Sequence, residues 1–139
     1  MRALPLIAGL LLIAPAALAD PAMPDPALTP GAVATTDPAV ICAPGYARAH
    51  RTWRGRQNTM REYDIAPSEW RDYTDDDRVP VCLGGDNASP KNHWAQPFDE
   101  ALVKDRLEDE MCREVCAGEI SLPAAQAIFL GDWRSRLAP

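Results

Sequence analysis

Four cysteines constrain this chain more than any other feature. Cys42, Cys82, Cys112 and Cys116 all follow an N-terminal stretch, MRALPLIAGLLLIAPAALA (residues 1–19), that has the form of a secretory signal. It has Arg2 near its start, an apolar core and a small-residue Ala-Leu-Ala ending. A membrane-spanning helix is the alternative, but the run from Ala3 to Ala19 is short for one, contains two prolines and is followed by no stop-transfer pattern. The stretch predicts cleavage before Asp20, no membrane association afterwards, and a periplasmic or secreted location. In an exported chain an even number of cysteines predicts disulfides. Zinc would need closely spaced ligand pairs, whereas only Cys112 and Cys116 are near each other, at i, i+4, and no C-x-x-C occurs. Four cysteines allow three pairings, and their spacing leaves the choice open.

The remaining sequence has the length of one domain. The chain carries a formal charge of −6, or −7 without Arg2, which argues against non-specific nucleic-acid binding because neutralising phosphates needs excess Lys and Arg. The charge is uneven, however. Arg48, Arg51, Arg54 and Arg56 cluster around His50 and Trp53, with Arg61 close behind. Such a cluster is either a phosphate-contacting surface or a solvated face paired with acidic segments elsewhere. Residues 20–40, DPAMPDPALTPGAVATTDPAV, are rich in Pro, Ala and Thr without a helical or strand period. They predict a disordered leader outside the core, with the domain spanning 41–139.

Within that domain, Thr59–Ile65 reads as a short helix ending before Pro67, and Ser68–Asp77 also has a helical look, with Trp70 and Tyr73 three apart. Val79–Leu83 is an apolar run closed by Gly84-Gly85, the pattern of a strand entering a hairpin, and Asp86–Asn92 reads as loop. The clearest helix is Phe98–Ala117, where Val103, Leu107, Met111 and Val115 recur every four residues and Gly118 supplies a C-cap. Glu100/Lys104 and Asp109/Arg113 stand at i, i+4 in the favourable order. Ser121 is an N-cap candidate for a last helix running to about Leu137, with Ala125, Ile128, Phe129 and Trp133 on its buried side. These elements predict an α+β fold, mostly helical around a small β-hairpin.

Several short motifs follow one another in a fixed order: Asp76-Asp77-Arg78-Val79-Pro80-Val81, Leu83-Gly84-Gly85, Asn92-x-Trp94, Lys104-Asp105-Arg106-Leu107-Glu108, Val115-Cys116-Ala117-Gly118, and Ala125-Gln126 with Trp133. The set resembles a family of small exported bacterial proteins with an HNH-type (ββα-metal) nuclease motif. That family's pattern runs D-H-x-x-P-L-x-L-G-G-x-N, N-L-W-P, K-D-x-L-E, V-C-x-G and A-Q…W. Cys42-Ala43-Pro44-Gly45-Tyr46 and Arg51 also resemble its opening, so the resemblance covers nearly all of the chain after residue 40. It implies a divalent metal of the Mg, Mn, Ni or Zn class and a nucleic-acid substrate. The metal clamps the scissile phosphate, and a histidine of near-neutral pKa takes the proton of the attacking water. By resemblance Asp76 is the metal-holding carboxylate and Asn92 the structural asparagine.

Asp77 stands where the family has its histidine. An aspartate ionises at about 3.9, which makes it a weak base at neutral pH and sets a second negative charge beside Asp76. Asp77 is therefore at once a candidate catalytic residue of low basicity and a second metal-ligand candidate. Cys82 replaces a family glutamate and Cys112 a family histidine, which implies a bridge between them and pairs Cys42 with Cys116 at the family's own cysteine positions. His93 takes the place of a leucine and is a candidate ligand or base. Three functions are then open: a catalytically impaired relative acting as a binding or structural module, an active endonuclease using Asp77 or His93, and a structural domain with neither metal nor nucleic acid. Asp72, Asp75, Asp76 and Asp77 do not fit an EF-hand, because the sharp-turn glycine and final glutamate are missing.

Overall fold

The computed structural model describes residues 20, 23–53 and 55–137. The stretch read as a signal and Arg54 lie outside them. Three short helices come first: α1 (Pro38–Ile41), α2 (Tyr46–His50) and α3 (Arg56–Glu62). A hairpin of β1 (Tyr73–Asp77) and β2 (His93–Pro97) then runs directly into α4 (Phe98–Ala117), followed by α5 (Leu122–Leu130). The strands are antiparallel, pairing Tyr73 with Pro97 at one end and Asp77 with His93 at the other. Strand, loop, strand and long helix thus follow in sequence, an α+β arrangement in which α4 and α3 each pack against both strands.

The hairpin does not lie where the apolar run placed it. Val79–Leu83 is a turn ending in a 3₁₀ segment over Val81–Leu83, and its apolar residues are buried because the turn itself enters the core. Its two glycines are sterically required. A Cβ on Gly84, whose φ is +80°, would stand 2.4 Å from the Thr35 carbonyl oxygen, and one on Gly85 would stand 1.8 Å from that of Val79. The helical reading of Ser68–Asp77 is also corrected, since Trp70–Asp72 is a single 3₁₀ turn and Tyr73–Asp77 is strand. Three consecutive aspartates are poor strand formers. Pairing with β2 and partners for each carboxylate override that preference.

The disordered leader expected at 20–40 is corrected from Met23 onward. Thr29 is 1% exposed, and its hydroxyl bonds the His93 carbonyl oxygen and the Tyr63 hydroxyl, both at 2.7 Å. Gly31 N donates to the Lys91 carbonyl at 3.0 Å and Ala34 N to that of Gly84 at 2.8 Å, and Val33 bridges Gly85. Lack of periodicity does not mean lack of order here. The segment supplies the hydrogen-bond partners that the loop of residues 78–92 cannot find within itself.

α4 occupies the predicted span and ends at Gly118 with φ +77°. Its buried face is rotated from the predicted stripe: Leu107, Met111 and Val115 are buried, Val103 is 36% exposed, and Lys104 and Glu108 lie inside. Lys104 pairs with Glu108 and Asp76 rather than with Glu100. α3 begins and ends three residues before the predicted helix. α5 is capped by Ser121 as expected but stops at Leu130, and a 3₁₀ turn over Trp133–Arg136 returns Trp133 to the core. That core joins α4 and α5 to Val81, Leu83, Ile41 and Tyr46.

Disulfides link Cys42 to Cys116 and Cys82 to Cys112, with Cα separations of 5.6 and 5.9 Å. They fasten α1's end and the Val81–Leu83 turn to successive turns of one face of α4. Such bridges suit an oxidising compartment. Among the described residues no helix is long and apolar enough to cross a membrane.

Candidate functional site

A cleft of about 420 Å³ opens along β1, bounded by α4 and by the segment carrying Arg51, Trp53 and Arg56. Asp75, Asp76 and Asp77 all line it, as do Asp105 and Glu108 of α4. Alternation along a strand sends Asp76 to one face of the hairpin and Asp75 with Asp77 to the other. Two carboxylate clusters result.

The first surrounds Lys104. Its ammonium is 1% exposed and donates to Asp76 Oδ1 at 3.2 Å, to the Asp77 carbonyl at 2.7 Å and to Glu108 Oε1. Burial pulls the Lys104 pKa down, but Glu108 and Asp76 outweigh it and hold the ammonium charged. Glu108 is pushed up to about 7 by burial, with Lys104 opposing and Asp76 adding to the rise. Asp105, the third member, is raised by burial and by the charge of Asp76. Asp76, Asp105 and Glu108 each offer an oxygen within 4.8 Å of the others. An all-oxygen set of this kind fits a hard divalent ion such as Mg or Mn better than zinc or nickel, which favour nitrogen and sulfur. Bound there, an ion would polarise a phosphate oxygen.

The second cluster surrounds His93, which is 3% exposed and stacks on Trp53 with ring centroids 4.3 Å apart. Its Nε2 stands 3.0 Å from the Asn87 carbonyl oxygen and 3.6 Å from Asp77 Oδ1, while Nδ1 faces Asp75 Oδ1 at 3.4 Å. The last is an ion-pair distance rather than a well-formed hydrogen bond. Both ring nitrogens therefore face acceptors, which suits the doubly protonated ring. Burial lowers the His93 pKa, but Asp75, the Asn87 carbonyl and Asp77 together raise it above the usual value. Asp77 itself is raised by burial, in opposition to His93 and Asn87. Its carboxylate accepts from Asn87 Nδ2 at 3.1 and 3.3 Å and from Asn92 Nδ2 at 3.3 Å.

Asn92 is fully buried and fixes the loop after β1. Its Oδ1 accepts from Val79 N at 3.0 Å and Ala32 N at 3.3 Å, and its Nδ2 donates to the Val79 carbonyl at 2.9 Å. Asn87 holds the arginine segment, accepting from Thr52 N at 2.6 Å and Trp53 N at 2.8 Å. Trp53 Nε1 then donates to Asp75 Oδ2 at 2.5 Å, which ties the arginine segment to β1.

Of the arginines, Arg51 and Arg56 reach the cleft, and Arg56 donates to the carbonyls of Trp70 at 2.6 Å and Tyr73 at 3.1 Å. Arg48 is exposed on α2 and is not among the residues lining it. Sequence reasoning placed Asp76, Asp77, Asn92 and His93 in one neighbourhood but gave no site role to Lys104, Asp105, Glu108, Asn87 or Trp53. One signal was available: Lys104 and Glu108 stand four apart and in line with Met111 and Val115, so a helix burying those residues must carry the charges inward. No protein-family model, curated protein or solved structure matches the chain.

Proposed function

We propose that this protein is a catalytically impaired relative of the exported HNH-type nucleases, a disulfide-stapled module that keeps a cation-binding cleft and works by binding. One observation carries the reading. At the end of β1, where such a nuclease has its histidine, Asp77 is bound by Asn87 and Asn92, and the nearby His93 has both nitrogens against acceptors. Asp77 is a weak base at neutral pH and both ring nitrogens of His93 already face acceptors, so neither group is set up to take a proton from a water in the cleft. General-base catalysis by a positioned group is worth about 10²–10⁴ in rate, and that contribution is the one lost. Asp76, Asp105 and Glu108 are the residues that would hold a divalent ion, in competition with the Lys104 ammonium that pairs with two of them, and its charge would offset the repulsion between cleft carboxylates and an incoming phosphate.

A second reading, an active endonuclease, is favoured by the 3.6 Å between His93 Nε2 and Asp77 Oδ1, which sets an imidazole beside the missing base. Plasmid and RNA cleavage with Mg²⁺, Mn²⁺, Ni²⁺ and Zn²⁺ separates the two. The impaired module cuts neither substrate, and the Asp77→His variant gains cleavage that is lost again on Asp76→Ala. Wild-type cleavage abolished by His93→Ala would establish the active enzyme instead.

A further inference from the structure

A second cavity, of about 190 Å³, lies away from the carboxylate cleft and shares no lining residue with it. Tyr63, Ile65, Tyr73 and the buried Trp94 are among its lining residues, together with Asp20 and Asp25. Among the described residues, no Lys, Arg or His lines it. Aromatic faces carry negative quadrupole charge and attract cations, most strongly those that shed water easily. We propose that this cavity is a binding site for a small organic cation of the alkylammonium class.

The walls are fixed in advance. The Tyr63 hydroxyl is held by Thr29 Oγ1 at 2.7 Å, and that same oxygen is anchored on the His93 carbonyl at 2.7 Å. Tyr73 belongs to β1 and Trp94 to β2, so the hairpin sets their separation. Preorganised walls spare a ligand the cost of ordering them. Asp25 places a carboxylate in the lining beside these rings. Asp20 is already paired with Arg134 at 2.7 Å, so Asp25 is the carboxylate that faces a cation. The volume equals that of about six waters, which suits a trimethylammonium headgroup and excludes a nucleotide.

The test is a titration of the purified, oxidised protein with choline chloride, followed by intrinsic tryptophan fluorescence and by amide chemical shifts. Its neutral isostere, 3,3-dimethylbutan-1-ol, and sodium chloride are titrated in parallel. Saturable binding with a dissociation constant of about 1–10 mM is expected, with shifts confined to Tyr63, Tyr73, Trp94 and their neighbours. The isostere binds at least about tenfold more weakly, and Tyr73→Leu weakens choline about three- to tenfold. Asp25→Asn, at an exposed position that retains its turn-forming side-chain oxygen, weakens choline about threefold without altering the fold. Failure of choline to saturate, or equal affinity for the isostere, would overturn the proposal. Neither result bears on the nuclease-like cleft.

Discussion

Lys104 carries a positive charge into the interior, and three oxygens make that tolerable. Removing one partner of a buried charge group costs more than the group contributes, because the remaining charges lose their counterion. Lys104→Met strands Asp76 and Glu108 and should lower stability by about 3–5 kcal/mol, measured by urea unfolding at pH 7. Glu108 adds a pH dependence of defined sign. Its folded pKa, about 7, lies above its ordinary 4.5, so the native state holds the proton more tightly than the unfolded chain does. That stabilisation is complete below the ordinary value and is lost as pH rises through the folded one, amounting to on the order of 3 kcal/mol. Unfolding at pH 4.5 and 8 should show this loss for wild type and a smaller one for Glu108→Gln. Equal slopes would contradict it. A divalent ion needs Glu108 ionised, so its binding near neutral pH should release protons.

At the scale of elements, the loop of residues 78–92 is the one most dependent on others. The Asn92 side chain makes four hydrogen bonds that tie it to Val79, Ala32 and Asp77. Asn92→Ala should cost about 3 kcal/mol and speed amide exchange in residues 29–35 together with the loop, because the two segments share those bonds. Exchange confined to the loop would mean that the 23–40 segment is held by other contacts. The elements also show what the sequence could tell. α4 was legible because twenty residues sustain one period and end at a glycine. β1 was not, because Tyr73–Asp77 lacks alternation and every aspartate finds its partner at a distance: Trp53, Lys104, Asn87 or Asn92. Val79–Leu83 misled for the converse reason, since apolar residues mark burial and not the backbone that achieves it. The site was half legible. Asp76, Asp77 and Asn92 emerged from motif order, whereas the inward charges of α4 depend on a helix rotation that the apolar stripe alone placed one position off.

At the scale of the whole molecule, the two disulfides close loops across sequence separations of 74 and 30 residues onto one helix. Each is worth about 4 kcal/mol in the chain-entropy account. Replacing Cys82 and Cys112 together with serine should lower stability by about 2–4 kcal/mol and loosen the Val81–Leu83 turn beside the cleft, while the Cys42–Cys116 bridge stays intact. The fold so fastened presents carboxylates, two arginines and a hindered imidazole in one cleft, an arrangement suited to holding a cation and poorly suited to taking a proton from water. The rate of supercoiled-plasmid nicking in Mn²⁺, wild type against Asp77→His, tests that account most directly. The wild type should show no nicking above background and the variant a gain of about 10² or more. Wild-type nicking at a rate equal to or above the variant's, and lost on Asp76→Ala, would contradict it.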